Sequence, residues 1–129
     1  MTFKDKVVLV TGASSGIGYA LVREFASLGA KIVMGARSEN VLAKLASELQ
    51  AGGTSVVYCR CDVTKEEECR ALVETGVEAF GRIDVCICNA GISMRALFDD
   101  VDLSVLKRLM DVNFWGTVYC IKYALPYIQ

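Results

Sequence analysis

Short apolar runs alternate along the chain with stretches in which apolar residues recur every three or four positions, and glycine marks each return. Val7 to Val10 and Ile32 to Met34 are unbroken apolar runs, the pattern of parallel strands buried on both faces. Three helix-period stretches close on glycine, at Gly29, at Gly52 with Gly53, and at Gly81, where a left-handed residue caps a helix before the next strand. The order is βαβαβαβ. It predicts strands near Lys6–Thr11, Lys31–Gly35, Ser55–Cys61 and Ile83–Asn89, with helices near Gly16–Leu28, Glu39–Gln50 and Lys65–Phe80. Thr64 and Glu67 have the spacing of a capping box for the third helix. Ala90–Asp100 reads as a loop, and a long amphipathic helix is expected from Leu103 toward Leu125, with Pro126 ending or kinking it. Its buried stripe is read as Val105, Leu109, Val112, Gly116, Tyr119 and Tyr123. Strands and helices alternating at these lengths imply right-handed crossovers and a parallel sheet covered on both faces.

Composition narrows the partners. The 129 residues fit one domain, taken as 1–129, with 53% apolar residues and a mean hydropathy of +0.40. Fourteen basic residues stand against 15 acidic ones, so the surface carries no bias toward polyphosphate backbones or anionic lipid. Nucleic acid and membrane are therefore not expected partners. No apolar run approaches the roughly 20 residues that span a bilayer, and the expected location is cytoplasmic. There are six cysteines and no histidine. The pairs Cys59 with Cys61 and Cys86 with Cys88 lie inside strand-like runs, where cysteine behaves as a small hydrophobe. They are read as core packing rather than as metal ligands or disulfides.

The stretch Thr11-Gly12-Ala13-Ser14-Ser15-Gly16-Ile17-Gly18 joins the first strand to the first helix, and this placement gives it meaning. Gly12 permits a tight turn, Gly16 lets the backbone approach a diphosphate, and Gly18 lets the helix pack closely on the strand. The amides opening the helix then meet the phosphates. A phosphate loop of the ATPase type needs Gly-Lys-Ser/Thr at the helix start, and no lysine occurs between Lys6 and Lys31. The second strand ends Gly35-Ala36-Arg37-Ser38 with no acid to hold a free ribose 2′-hydroxyl. Arg37 offers a planar fork to a 2′-phosphate and Ser38 a hydroxyl donor, so NADP(H) is favoured over NAD(H).

These residues resemble the short-chain dehydrogenases/reductases, a Rossmann-fold group, along essentially the whole chain. The resemblance rests on Thr11-Gly12-x-x-x-Gly16-x-Gly18, on Asp62-Val63 after the third strand, on Asn89-Ala90-Gly91 after the fourth, and on Asn113 in the long helix. It implies an α/β fold with a Rossmann-type doubly wound parallel sheet, truncated after the fourth strand and the following long helix. Gly12, Ser14, Ser15, Gly16, Ile17 and Gly18 would hold the cofactor, with Asp62 and Val63 flanking its adenine. Asn89, Ala90 and Gly91 would support the central strand and the cofactor, and Asn113 would belong to the catalytic tetrad, holding a water in a proton relay. Taken without the resemblance, Asp62 is equally a cap for the loop into the third helix, and Asn89 a turn former before Gly91. Asn113 shares a helix face with Leu106, Met110 and Thr117 and is expected to be buried, as a satisfied structural asparagine or as a relay residue.

The same family's site uses a serine on the next strand and a Tyr-x-x-x-Lys on the next helix. Tyr119 and Lys122 are one residue too close for that pattern, and Tyr119 reads as part of the apolar stripe. The expected function is an NADP(H)-dependent oxidoreductase passing hydride between nicotinamide and a small-molecule alcohol or carbonyl substrate, with this chain its cofactor-binding half and inactive alone. The alternative is a dinucleotide-binding or scaffolding module without turnover. Met94, Leu97 and Phe98 are expected along one wall of the substrate pocket. The fourth strand is expected to present an open apolar edge prone to self-association. A homo-oligomer through the long helix is implied by the resemblance, with Trp115, Tyr119 and Tyr123 as aromatic anchors.

Overall fold

The computed structural model describes residues 3–91 and 102–128. In chain order it contains β1 (Val7–Thr11), α1 (Gly16–Ser27), β2 (Lys31–Ala36), α2 (Glu39–Ala51), β3 (Val56–Arg60), α3 (Glu66–Phe80) and β4 (Val85–Cys88). After the segment 92–101 come α4 (Leu103–Met110), a π-helical turn (Asp111–Trp115), α5 (Gly116–Ala124) and a 3-10 turn (Leu125–Tyr127). The strands form one parallel sheet in the order β3-β2-β1-β4. Val7 lies beside Lys31, Val8 beside Val85, and Ile32 beside Val56. This is the doubly wound α/β fold expected from the pattern.

Alternation along the strands sorts the core into two layers. Val8, Val10, Ile32 and Met34 pack with Val22 of α1 and Leu42, Leu45 and Leu49 of α2. Val7, Leu9 and Val33 point the other way, against Leu72 and Val73 of α3 and Val112, Cys120 and Ala124 of the long helical arm. Neither α1 nor α2 has a side-chain hydrogen bond at its N-cap. A good cap contributes about 1 kcal/mol, whereas each buried Leu or Ile contributes about 1.5–3, so packing on the sheet is what holds these helices.

Three expectations need correcting. Thr64 and Glu67 form no capping box: α3 begins at Glu66 after Lys65, with no side-chain cap bond. Asp62 takes that part instead, accepting the Thr64 amide at 3.0 Å and hydroxyl at 2.7 Å, while Glu68 reaches back to the Asp62 amide at 3.0 Å. The buried stripe of the long arm is Val112, Gly116, Cys120 and Ala124, whereas Val105 is 39% exposed and Tyr119 and Tyr123 are half-buried. Small residues four apart let α5 lie close to its neighbours: a Cβ on Gly116 would sit 2.8 Å from a Val63 methyl. The fourth strand is shorter than expected, Val85–Cys88, and it stands at the sheet edge. Just before it, Ile83 makes an isolated parallel bridge to Ile128, with the Ile83 amide donating to the Tyr127 carbonyl at 3.2 Å.

Asp84 locks β1 to the lead-in of β4. Its carboxylate accepts the Val7 amide at 2.8 Å and pairs with Arg82, and its side chain is only 8% exposed. Burial pushes this carboxyl up, but the Val7 amide and the Arg82 charge outweigh it and leave it below the usual carboxylate range. A depressed folded value means that its stabilisation is present above the unfolded value of about 3.9 and is lost as pH falls through the folded one. Asp84→Ala should therefore cost about 2–3 kcal/mol in urea unfolding at pH 7, because it strands a buried amide and an arginine. The difference from wild type should narrow in acid; a gap of equal size at pH 2 would remove the carboxylate charge from this account.

Candidate functional site

The sheet order reverses direction between β1 and β4, so a crevice opens above their C-terminal ends. The glycine turn lies there. Gly12 has a φ of +66°, and a Cβ on it would come within 2.9 Å of the Ala90 backbone. Gly18 leaves no room at all: its Cβ would sit 2.2 Å from the Gly12 carbonyl oxygen and 2.5 Å from Asn89 Nδ2. A Cβ on Gly16 would meet nothing within 4 Å.

Asn89 and Ala90 hold this turn in place. Asn89 Nδ2 donates to the Gly12 carbonyl at 3.2 Å, and the Ala90 amide donates to Thr11 Oγ1 at 3.1 Å. Thr11 is 1% exposed, so its hydroxyl is a buried strut between β1 and β4. At the helix start, the Tyr19 amide makes the first return bond, to the Ser15 carbonyl at 3.3 Å. The amides of Gly16, Ile17 and Gly18 precede it and point out of the helix N-terminus, where the dipole favours an anion. Ser15 spends no side-chain bond on capping.

Arg37 and Ser38 follow β2 at the same end of the sheet, both exposed. Asp62 and Val63 follow β3. Burial pushes the Asp62 carboxyl up, yet the Thr64 hydroxyl and amide, with the Arg37 and Lys65 charges, hold it below the usual range. The Arg37 guanidinium is thus close enough to be felt at Asp62.

One cavity of about 290 Å³ gathers these elements. Gly12, Ser14, Ser15, Arg37, Ser38, Asp62, Val63, Asn89, Ala90 and Gly91 all line it; Gly16, Ile17, Gly18 and Asn113 do not. Ala36, Cys61, and Arg108 and Val112 of the long arm complete the wall. Arg108 escaped the sequence reading because it lies off the apolar stripe; its spacing of four from Val112, which puts both on one helix face, was the available signal. The Ser14, Ser15 and Ser38 hydroxyls and two guanidiniums form a donor set suited to a phosphorylated ligand, with the helix-start amides of Gly16, Ile17 and Gly18 next to it in the chain, and Val63 and Val112 add apolar surface.

Asn113 is exposed rather than buried. It sits in the π-helical turn Asp111–Trp115, where the extra residue rotates side chains away from the α-helical register. Neighbouring Met110, Phe114 and Trp115 are also 44–53% exposed. The side chain nevertheless lies beside Gly91, since a Cβ on that glycine would lie 3.3 Å from Asn113 Oδ1. Met94, Leu97 and Phe98, with most of the loop expected over Ala90–Asp100, lie outside the described residues. No described helix is long and apolar enough to cross a membrane.

Residues 6–129 match the family described as short chain dehydrogenase. Among curated proteins, 11-beta-hydroxysteroid dehydrogenase A of Sesamum indicum is 43% identical over 126 residues, covering 96% of this chain and 36% of its own length. Among solved structures, a short chain dehydrogenase/reductase from Burkholderia phymatum in complex with NAD superposes with a TM-score of 0.94 at 30% identity, covering 99% of this chain and 46% of that one. An alcohol dehydrogenase from Thermococcus sibiricus complexed with 5-hydroxy-NADP gives 0.93 at 34% identity, covering 96% and 53%. The chain therefore spans between about a third and a half of the length of these relatives.

Proposed function

The chain belongs to the short chain dehydrogenase family, and from that premise we propose that it holds the adenosine and diphosphate half of NADP(H) for an oxidoreductase acting on an alcohol or carbonyl substrate. One observation carries this reading: the glycine turn, Arg37 with Ser38, and Asp62 with Val63 meet at a single cavity over the sheet's switch point. The amides of Gly16, Ile17 and Gly18, with the Ser14 and Ser15 hydroxyls, take the diphosphate. Arg37 and Ser38 take the 2′-phosphate, and Asp62 and Val63 flank the adenine. Asn89 acts through the turn, as a positioning residue that keeps Gly12 and Gly18 in register. When bound, the nicotinamide supplies or accepts the hydride. Asn113, at the Gly91 side of the cavity, is the positioning residue for a water in the accompanying proton path.

Titration with NADPH and NADH, followed by nicotinamide fluorescence, tests the cofactor assignment. NADPH is expected to bind at least about tenfold more tightly, the effect of one charge-assisted contact of about 1.5 kcal/mol or more. Arg108→Ala should weaken both cofactors by a similar factor, because the cavity loses a cation without losing the 2′-phosphate site. Absence of binding by either cofactor to a demonstrably folded chain would overturn the assignment.

A further inference from the structure

The first turn of α3 carries three acids in a row, Glu66, Glu67 and Glu68, and the third of them does not serve its own helix. A glutamate three places after the N-cap ordinarily turns back to the N-cap amide. Here that amide, on Lys65, donates to the Asp62 carbonyl at 3.0 Å. Glu68 reaches past it: its Oε1 accepts the Asp62 amide at 3.0 Å, six residues back along the chain and outside the helix. The same carboxylate pairs with Arg60 at 3.3 Å and Lys65 at 3.7 Å, side chains that are 51% and 63% exposed. Exposed pairs of this kind contribute little, so the bond to the Asp62 amide is the contact with consequences.

Those consequences fall on the cavity, because Asp62 and Val63 both line it. Asp62 is held at three of its polar groups: its amide by Glu68, its carbonyl by the Lys65 amide, and its Oδ1 by the Thr64 amide and hydroxyl. Val63 is held from the other side, where its carbonyl accepts the Cys69 thiol at 3.5 Å and Gly116 leaves room for its methyls. Among the described residues, Asp62 Oδ2 and the Val63 amide take part in no hydrogen bond. An acceptor and a donor on adjacent residues complement the 6-amino group and ring nitrogen N1 of adenine. They mismatch a 6-oxo purine, which presents the reverse pair.

We propose that Glu68 is a positioning residue for the base, an inference that rests on the function proposed above. Holding the Asp62 amide fixes the peptide plane from which that residue's side chain departs, and so keeps the Asp62 carboxylate and the Val63 amide in the arrangement that takes a 6-aminopurine. Glu68 does not itself line the cavity, so it acts through Asp62. Its loss should tell on the base rather than on the phosphates, which the glycine turn and Arg37 hold independently.

The test compares NADPH with the analogue in which hypoxanthine replaces adenine, titrated by nicotinamide fluorescence against wild type, Glu68→Ala and Glu68→Gln. Wild type is expected to bind NADPH about tenfold or more tightly than the analogue, the effect of a matched donor–acceptor pair in place of a mismatched one. In Glu68→Ala, NADPH affinity should fall about fivefold while that of the analogue changes by less than about twofold, so the preference shrinks. Glu68→Gln should keep the wild-type preference to within about twofold, because its side-chain oxygen still accepts the Asp62 amide although both ion pairs are gone. Hydrogen exchange at the Asp62 amide of the unliganded chain should be about tenfold faster in Glu68→Ala and close to wild type in Glu68→Gln. An equal loss on both dinucleotides in Glu68→Ala would mean a general loosening of the fold and would overturn the proposal. So would a glutamine variant that behaves like the alanine one, or NADPH binding that Glu68→Ala leaves untouched. If the wild-type chain binds neither dinucleotide, the function proposed above fails and this inference with it; if it binds both equally, only this inference fails.

Discussion

Gly18→Ala should abolish dinucleotide binding and destabilise the chain by about 3 kcal/mol or more, as an overpacked site with no slack does. The added Cβ would stand 2.2 Å from the Gly12 carbonyl oxygen and 2.5 Å from Asn89 Nδ2. Neither neighbour can swing aside. The first is backbone in the turn that receives the diphosphate, and the second is the amide that fixes that turn to β4 at 3.2 Å. Relief requires α1 to lift from β1, which carries the amides of Gly16 and Ile17 out of position. Thermal unfolding should show a Tm lower by about 10 °C or more. Gly53→Ala is the control: its φ of +93° makes alanine strained, but nothing lies within 4 Å of the added atom. It should cost only about 1–2 kcal/mol and leave affinity unchanged. Equal Tm and affinity in Gly18→Ala and wild type would mean that the close packing of α1 on the turn is not what shapes the site.

Arg37→Asp should reverse cofactor preference, lowering NADPH affinity about 100-fold while leaving NADH affinity within a few-fold of wild type. Losing a charge-assisted phosphate contact accounts for about 1.5–3 kcal/mol, and a carboxylate facing the 2′-phosphate adds repulsion, so about 3 kcal/mol is expected in total. Arg37 is exposed at the end of β2 and lines the cavity, so the exchange disturbs no packing. Its charge also helps hold Asp62 ionised. The reversed charge works the other way, and the variant's NADPH affinity should no longer fall with added salt at this contact but rise, because salt screens the new carboxylate–phosphate repulsion. Unchanged discrimination between the two cofactors would place the 2′-phosphate elsewhere, with Arg108 the next arginine to vary.

The comparison of chain and structure divides along a physical line. Strands such as Val7–Thr11 and Lys31–Ala36 were legible because a strand buried on both faces must be apolar throughout, and the helix ends at Gly29 and Gly81 because a positive φ demands glycine. The long arm was legible only in outline. Its apolar positions fit a regular helix as far as periodicity shows, and periodicity does not register the π turn over Asp111–Trp115 that exposes Asn113. The capping box failed for a related reason. Thr64 and Glu67 satisfy a local spacing, but Asp62, held at the exit of β3, reaches the same amide first.

By itself, the sequence determined the βα alternation, the parallel sheet and the position of the glycine turn, since these depend on local conformational preference and on which residues can be buried. It also named most residues around the cavity, because each follows a strand and strand ends share one edge of a parallel sheet. Only the tertiary structure decided what those residues do to one another: that Asn89 braces Gly12, that Arg108 joins the cavity wall, that Asp84 ties β1 to β4, and that cysteines far apart in the chain gather in one core layer. Contacts between residues distant in sequence are set by how helices settle on the sheet within an ångström or two, and no local pattern encodes that distance.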